Sequence, residues 1–246
     1  MSKNSINIGT SGWNYKHWVG NFYPPGLKEK EFLKFYSESF KTVEINNTFY
    51  QLPAEKSIKN WLDTVPDNFT FAVKASRYIT HMKRLLDPET SIVNFFDRMQ
   101  FFTEKLGPLL FQFPPSFNFN PERLENFINV LPENYRYTFE FRNLSWFNEQ
   151  TYKLLKDNNI AFCMYYMGNF ESPEQITSDF VYIRFHGSYT LGSGAYSEEK
   201  LQEFSGKIKN YQEQEKEVFC YFNNDEAGYA VKNAMKLKEL TNAEKT

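Results

Sequence analysis

The sequence predicts an α/β protein built as a single (β/α)8 TIM barrel spanning residues 1–246. Three observations predict it. Short apolar or β-rich runs recur about eight times along 246 residues, amphipathic stretches with helix-start signals separate most of them, and this many repeats in this length fits a closed barrel better than an open sheet. An open, doubly wound sheet is the alternative. Its glycine fingerprint is absent, because Gly9-Thr-Ser-Gly12 lacks the third glycine and the helix that should follow.

In chain order, strands are expected at 6–11, 42–50, 70–76, 106–113, 137–142, 161–166, 180–186 and 218–223, each rich in Val, Ile, Phe, Tyr or Thr. Helices are expected at 29–40, 55–64, 90–105, 121–131, 148–158, 198–214 and 227–240. Asp87-Pro88, Asn120-Pro121 and Ser172-Pro-Glu-Gln175 each place a capping residue before a proline at the first helical position, and the last also has the spacing of a capping box. The connection at 167–179 has room for only a short helix.

Four of the strand runs carry charges where packing favours hydrocarbon. They are Thr42-Val-Glu-Ile-Asn46, Thr70-Phe-Ala-Val-Lys-Ala-Ser76, Tyr137-Thr-Phe-Glu-Phe-Arg142 and Phe180-Val-Tyr-Ile-Arg-Phe-His186. Side chains two apart on a strand share a face, about 6–7 Å apart, so Glu44 pairs with Asn46, Glu140 with Arg142 and Arg184 with His186. An isolated buried ion costs several kcal/mol, so these groups must meet one another or line a wet cavity. In a barrel they fall at the downstream strand ends, where active sites are built. The same ends deliver Ser11 and Trp13, Thr48, Lys74 and Ser76, Gln112, and Asn223 with Asn224. Glu44, Lys74 and Glu140 are expected deep, with Arg142, Arg184 and His186 nearer the mouth. A purely structural ion network is the competing reading.

Cations outnumber carboxylates in this set, and His81 and His186 add partial positive charge, so the mouth favours an anion. Arginine's planar fork suits phosphate or carboxylate. The loop Gly187-Ser-Tyr-Thr-Leu-Gly-Ser-Gly-Ala-Tyr196 offers backbone N–H groups for a phosphate, or serves as a lid or plain loop. Trp13, Tyr15, Trp18, Phe22, Tyr23, Phe49, Tyr50 and Trp146 either stack on a ligand ring or plug the barrel end. Glu44 and Glu140 invite a glycosidase reading, but adjacent Lys74 and Arg142 would hold both ionised and deprive the pair of its acid. Three histidines, His17, His81 and His186, give no metal-ligand spacing; a site from Glu44, Glu140 and His186 is the one geometric option, and no metal or cofactor is assigned.

Composition narrows the classes. The net charge of −2 and pI near 6.0 argue against coating nucleic acid through bulk positive charge, leaving a local basic pocket. Cys163 and Cys220 form no framework and read as core residues of a reducing compartment. No long apolar segment or cleavage pattern is present, so a cytoplasmic protein without a membrane span is expected.

At these residues the chain resembles the YecE-like family (domain of unknown function 72). The matching motifs run nearly end to end: Gly9-Thr-Ser-Gly-Trp13, Phe22-Tyr-Pro24, Val43-Glu-Ile-Asn46 with Thr48-Phe-Tyr50, Lys74, Ile79-Thr-His81, Gln112-Phe-Pro-Pro115, Glu140-Phe-Arg142 with Ser145-Trp146, Tyr182-Ile-Arg-Phe-His-Gly187 and Tyr221-Phe-Asn-Asn224. The resemblance implies a TIM barrel and no particular activity.

The leading expectation is a hydrolase or lyase acting on a small or terminal anionic group, phosphate-bearing or nucleotide-like. Glu44, Lys74, His81, Glu140 and His186 are its candidate catalytic residues. Trp13, Asn46, Gln112, Arg142, Trp146, Arg184 and Asn223 are its candidate substrate contacts. Two readings compete with it: a non-catalytic binder of single-stranded nucleic acid or a nucleotide metabolite, and an inert or partner-binding barrel.

Overall fold

The computed structural model describes residues 5–188 and 194–242. Among them, eight strands follow the expected order: β1 (Ile6–Thr10), β2 (Thr42–Ile45), β3 (Thr70–Lys74), β4 (Leu106–Phe113), β5 (Tyr137–Phe141), β6 (Ala161–Met167), β8 (Phe180–Phe185) and β9 (Glu217–Phe222). A two-residue strand, β7 (Phe170–Glu171), pairs antiparallel with β6. The helices are α1 (Phe32–Ser39), α2 (Glu55–Thr64), α3 (Pro88–Ser91), α4 (Val93–Met99), α5 (Pro121–Ile128), α6 (Glu149–Asp157), α7 (Glu198–Glu213) and α8 (Tyr229–Asn242).

Along the sheet the strands run β1-β9-β8-β6-β5-β4-β3-β2, and a parallel bridge from Ser11 to Glu44 joins the ends of its two terminal strands. This is the order of a (β/α)8 barrel, nearly closed. The closure is mediated rather than laddered. The Tyr36 hydroxyl accepts from the Thr10 backbone N–H at 3.0 Å and donates to the Thr42 carbonyl at 3.1 Å, standing where a β1–β2 hydrogen bond would otherwise form. Gly9 makes room for this arrangement, since a Cβ there would lie 2.3 Å from the Thr42 oxygen and 3.1 Å from the Tyr36 hydroxyl.

Helix starts follow the expected chemistry at Asn120, whose side chain accepts from Arg123 N at 3.0 Å, and at Asn148 and Ser197, which cap α6 and α7. Several details differ from expectation. Ser172-Pro-Glu-Gln175 starts no helix, because the Ser172 hydroxyl accepts from the Tyr165 N–H at 2.8 Å and ties the segment to β6. Asp87 stands at the N-cap of the short α3 with Pro88 in its first turn, as expected, but its side chain makes no capping hydrogen bond: its backbone is left-handed, φ 48°, and its carboxylate pairs with Lys83 at 2.8 Å. The second strand also ends early, at Ile45, and a 3-10 turn over Asn47–Phe49 follows. The expected 90–105 helix is broken, with α4 giving way to a 3-10 stretch at Gln100–Lys105.

The chain packs as two compact units. The first comprises Met1–Glu44, Met164–Ser172 and Asp179–Thr246; the second comprises Ile45–Cys163 and Pro173–Ser178. In the first, parallel register aligns Arg184 with Tyr221, Tyr182 with Phe219 and Gly9 with Tyr221. Alternation therefore puts Tyr182, Arg184, Phe219 and Tyr221 on one face and Ile183, Phe185, Cys220 and Phe222 on the other. In the second, Leu110 and Gln112 stand opposite Thr138 and Glu140, with Lys74 opposite Leu110. The other face carries Phe111, Phe113, Phe139 and Phe141, whose rings meet Phe95, Phe127 and Trp146 from the helices and turns. Each such ring contributes roughly 1.5–3 kcal/mol by leaving water. The charges occupy the opposite face, so the hydrocarbon core is undisturbed by them.

Candidate functional site

In the first unit the polar cluster centres on Glu44, which is wholly buried. Oε1 accepts from Ser11 Oγ at 2.6 Å and from Arg184 Nη2 at 2.8 Å, while Oε2 accepts from Tyr182 Oη at 2.7 Å. Burial alone would raise the pKa of this carboxyl. The Arg184 charge and the three hydrogen bonds outweigh burial and hold it below the ordinary carboxylate value. Tyr182 is pushed well upward by burial and by the Glu44 charge, so it stays a phenol and a donor. One layer toward the upstream strand ends, Thr42 Oγ1 meets the Tyr221 hydroxyl at 2.6 Å. His186 lies on the Arg184 face of its strand, and its Nδ1 meets Asn223 Nδ2 at 3.1 Å.

Arg184 and His186, expected nearer the mouth, are both 1% exposed, as fully buried as Glu44. Arg184 spends a guanidinium N–H on Glu44, which makes it part of the wall. Sequence reasoning missed Tyr182 as a partner of Glu44, although its position two residues before Arg184 on one strand face signals it. His17, in the loop after β1, pairs with Asp225 at 2.9 Å, and Trp18 Nε1 donates to the same carboxylate at 2.6 Å. The rings of the loop after β1 pack against one another and against α1. Trp18 and Tyr23 are buried and stack with Phe22, Phe32 and Tyr36, and Trp13 gives its carbonyl to the Tyr23 hydroxyl at 2.5 Å.

In the second unit Glu140 is wholly buried, accepts a close hydrogen bond from Arg142 Nε as the two-residue spacing predicts, and lies 3.7 Å from the Cys163 thiol. Gln112 shares its strand register and donates to the Phe113 carbonyl at 2.9 Å. Trp146 is a correction: expected at a ligand, it is fully buried, stacked on Phe141, and donates its indole N–H to the Phe117 carbonyl at 2.7 Å.

The turns after β2 and β3 form a second cluster in this unit. Thr48 Oγ1 donates to the Lys74 carbonyl at 2.6 Å, locking the Asn47–Phe49 turn onto the end of β3. Lys74 Nζ then lies 4.2 Å from the centre of the Phe49 ring, and the His81 imidazole meets that ring edge-on at 4.8 Å. His81 sits in a π-helical turn, Tyr78–Met82, a geometry that recurs at functional sites. Its Nδ1 contacts Thr80 Oγ1 at 2.8 Å. Burial first, then the charges of Lys74, Arg84 and Arg77, push the His81 pKa down to about 4, so the imidazole is neutral at pH 7. Asn46 Oδ1 is buried with no hydrogen-bond partner, an acceptor that a ligand donor would satisfy.

The loop at 187–196 lies partly outside the described residues, since 189–193 are not among them. No group of three His, Cys, Asp or Glu side chains among the described residues is placed to hold a metal ion, and none of their helices is long and apolar enough to cross a membrane. Cys163 and Cys220 are buried free thiols.

A (β/α)8 barrel whose interior strand faces carry paired acids and cations defines the class of protein. The chain belongs to the DUF72 family, whose model, described as a protein of unknown function, matches residues 7–246. It is 27% identical to UPF0759 protein YunF of Bacillus subtilis over 97% of this chain and 95% of that one. It is 28% identical to UPF0759 protein YecE of Escherichia coli K12 over 58% and 50%. A DUF72 family protein of Thermotoga maritima superposes with a TM-score of 0.87 at 32% identity, covering 96% of this chain and 98% of that chain. One from Enterococcus faecalis shares the fold, with a TM-score of 0.82 at 21% identity over 96% and 95%.

Proposed function

We propose that this chain is an enzyme acting on a small or terminal anionic group, phosphate-bearing or nucleotide-like, bound at the ends of β2 and β3. The observation that carries the reading is the meeting of Lys74 and the His81 imidazole on the Phe49 ring, at 4.2 Å and 4.8 Å, with Arg77 and Arg84 in the adjoining turn, in a protein of net charge −2. An anion entering there is attracted by all three cations, and its own charge offsets their effect on the ring. Lys74 stabilises negative charge as it develops on the substrate, and His81 donates or accepts a hydrogen bond as a proton moves. Hydrolysis and elimination both need these two services. Asn46 supplies an acceptor, and Glu140 with Arg142 and Gln112 supplies further acid and cation on the polar face of the same unit.

The first unit has a different role in this reading. Glu44 is held ionised and so is a poor general acid; it positions Arg184 and Tyr182, with His186 and Asn223 as the neighbouring polar pair. The two buried thiols suit a cytoplasmic protein.

The experiment is thermal unfolding of the full chain with inorganic phosphate or adenosine monophosphate. A ligand at about 100 times its Kd stabilises by about 2.7 kcal/mol. Wild type is expected to respond, Lys74→Met and His81→Gln to lose the response, and Lys34→Met on an exposed helical surface to keep it. An equal response in Lys74→Met and His81→Gln overturns the reading.

A further inference from the structure

Beyond His81 the same turns carry further rings, each with a cation against it. Phe49, with Lys74 on its face, meets the Tyr50 ring edge-on at 5.0 Å. The Arg77 guanidinium lies 5.7 Å from the Tyr50 ring centre, the next residue is Tyr78, and Lys83 Nζ, which also pairs with the Asp87 carboxylate at 2.8 Å, lies 5.9 Å from the Tyr78 ring centre. Tyr50 is 72% exposed and Tyr78 is 42% exposed, although most large rings in this chain are buried. The segment is strongly one-signed as well: residues 74–87 carry Lys74, Arg77, Lys83 and Arg84 against Asp87 alone.

Its backbone is held in an uncommon shape. The π-helical turn runs into Arg84, Leu85 and Asp87, all with positive φ (49°, 66° and 48°), and buried Leu85 anchors the turn. Non-glycine residues in that region cost of order 1–3 kcal/mol each, and such strain persists where the surrounding structure over-determines it. Arg77, at the start of this turn, lies against the Tyr50 ring. Flat rings at the surface with cations against them match the faces of bases joined by phosphates, because each base has a π face and each linkage a negative charge. A polypeptide with acidic groups would use the charges and leave the planes of Tyr50 and Tyr78 without flat partners.

We propose that Phe49, Tyr50, Arg77, Tyr78 and Lys83 form a track for single-stranded nucleic acid, which makes the substrate class an oligonucleotide whose terminal phosphate reaches Lys74 and His81. This rests on the reading given under Proposed function and names the substrate of that site. The track accounts for local nucleic-acid affinity in a protein whose overall charge opposes it.

The test is fluorescence anisotropy of the full chain with a 5′-phosphorylated twelve-thymidine strand. Adenosine monophosphate and a polyglutamate of matching charge serve as competitors at low salt. The strand is expected to bind at least about tenfold tighter than the mononucleotide. Tyr50→Ala is expected to weaken the strand about tenfold, as loss of one stacked base would, and to leave mononucleotide binding unchanged. Arg77→Ala should flatten the salt dependence. Tyr50 and Arg77 are exposed, and circular dichroism checks that both variants are folded. Mononucleotide binding with no advantage for the strand, an unchanged strand affinity in Tyr50→Ala, or polyglutamate competing as well as the strand overturns the track alone. Binding of neither nucleotide nor strand overturns the track and the underlying site together.

Discussion

Glu44 Oε1 and Arg184 Nη2 meet at 2.8 Å, with both side chains at or below 2% exposure. Removing two charges from water costs several kcal/mol per ion, and the pair recovers this only through good geometry and satisfied remaining lone pairs. Ser11 and Tyr182 supply that satisfaction on the carboxylate. Arg184→Ala is therefore expected to destabilise the chain by about 3–5 kcal/mol, because it strands Glu44 as an uncompensated buried carboxylate. Replacing both, as Glu44→Gln with Arg184→Met, is expected to recover part of that loss. Urea unfolding of the two variants checks it, and equal losses in the single and double variants would contradict the coupling.

The same carboxylate predicts an acid limb. Its pKa in the folded chain lies below the ordinary 4.5, so the unfolded chain binds the proton more readily. Glu44 thus contributes stability that is full above about 4.5 and is lost as pH falls through its lowered folded value. Unfolding free energy measured from pH 7 downward is expected to fall less steeply in Glu44→Gln than in wild type over that range.

Tyr36 predicts a different loss. Tyr36→Phe removes the hydroxyl that accepts from Thr10 N–H and donates to the Thr42 carbonyl, so two buried backbone groups each lose a hydrogen bond. The expected cost is about 1–3 kcal/mol. Hydrogen exchange should locate it at the Thr10 amide, with the β8–β9 amides unaffected.

Much of the fold is legible in the residue order, because period-two alternation and Asn-Pro caps are local signals. The α5 start at Asn120-Pro121 and the strand at 137–141 follow from them directly. Ser172-Pro-Glu-Gln175 shows where local signals fail: its hydroxyl is claimed by a backbone N–H seven residues upstream, which spacing within the segment does not reveal. The candidate site divides the same way. Glu140 with Arg142 is readable from a spacing of two, whereas the Glu44–Arg184 pair, 140 positions apart, depends on strand order. Exposure is the least legible property: Trp146 and Tyr50 are both aromatic loop residues, and only the helix-side packing buries the first.

His81 adds a near-neutral signature. With a folded pKa near 4 against an ordinary 6.5, it binds its proton more readily when the chain is unfolded. Stability should therefore decline as pH falls from about 6.5 and level off below about 4. His81→Gln removes that component, and Lys74→Met diminishes it by raising the pKa. Unfolding midpoints across this range are the measurement.

The proposed anion site is tested most directly by following the His81 ring by NMR through a pH titration, with and without saturating inorganic phosphate. The ring is expected to titrate near 4 in the free protein and distinctly higher with phosphate, as the bound charge offsets Lys74, Arg84 and Arg77. A midpoint near 6.5 that phosphate leaves unmoved would contradict the account.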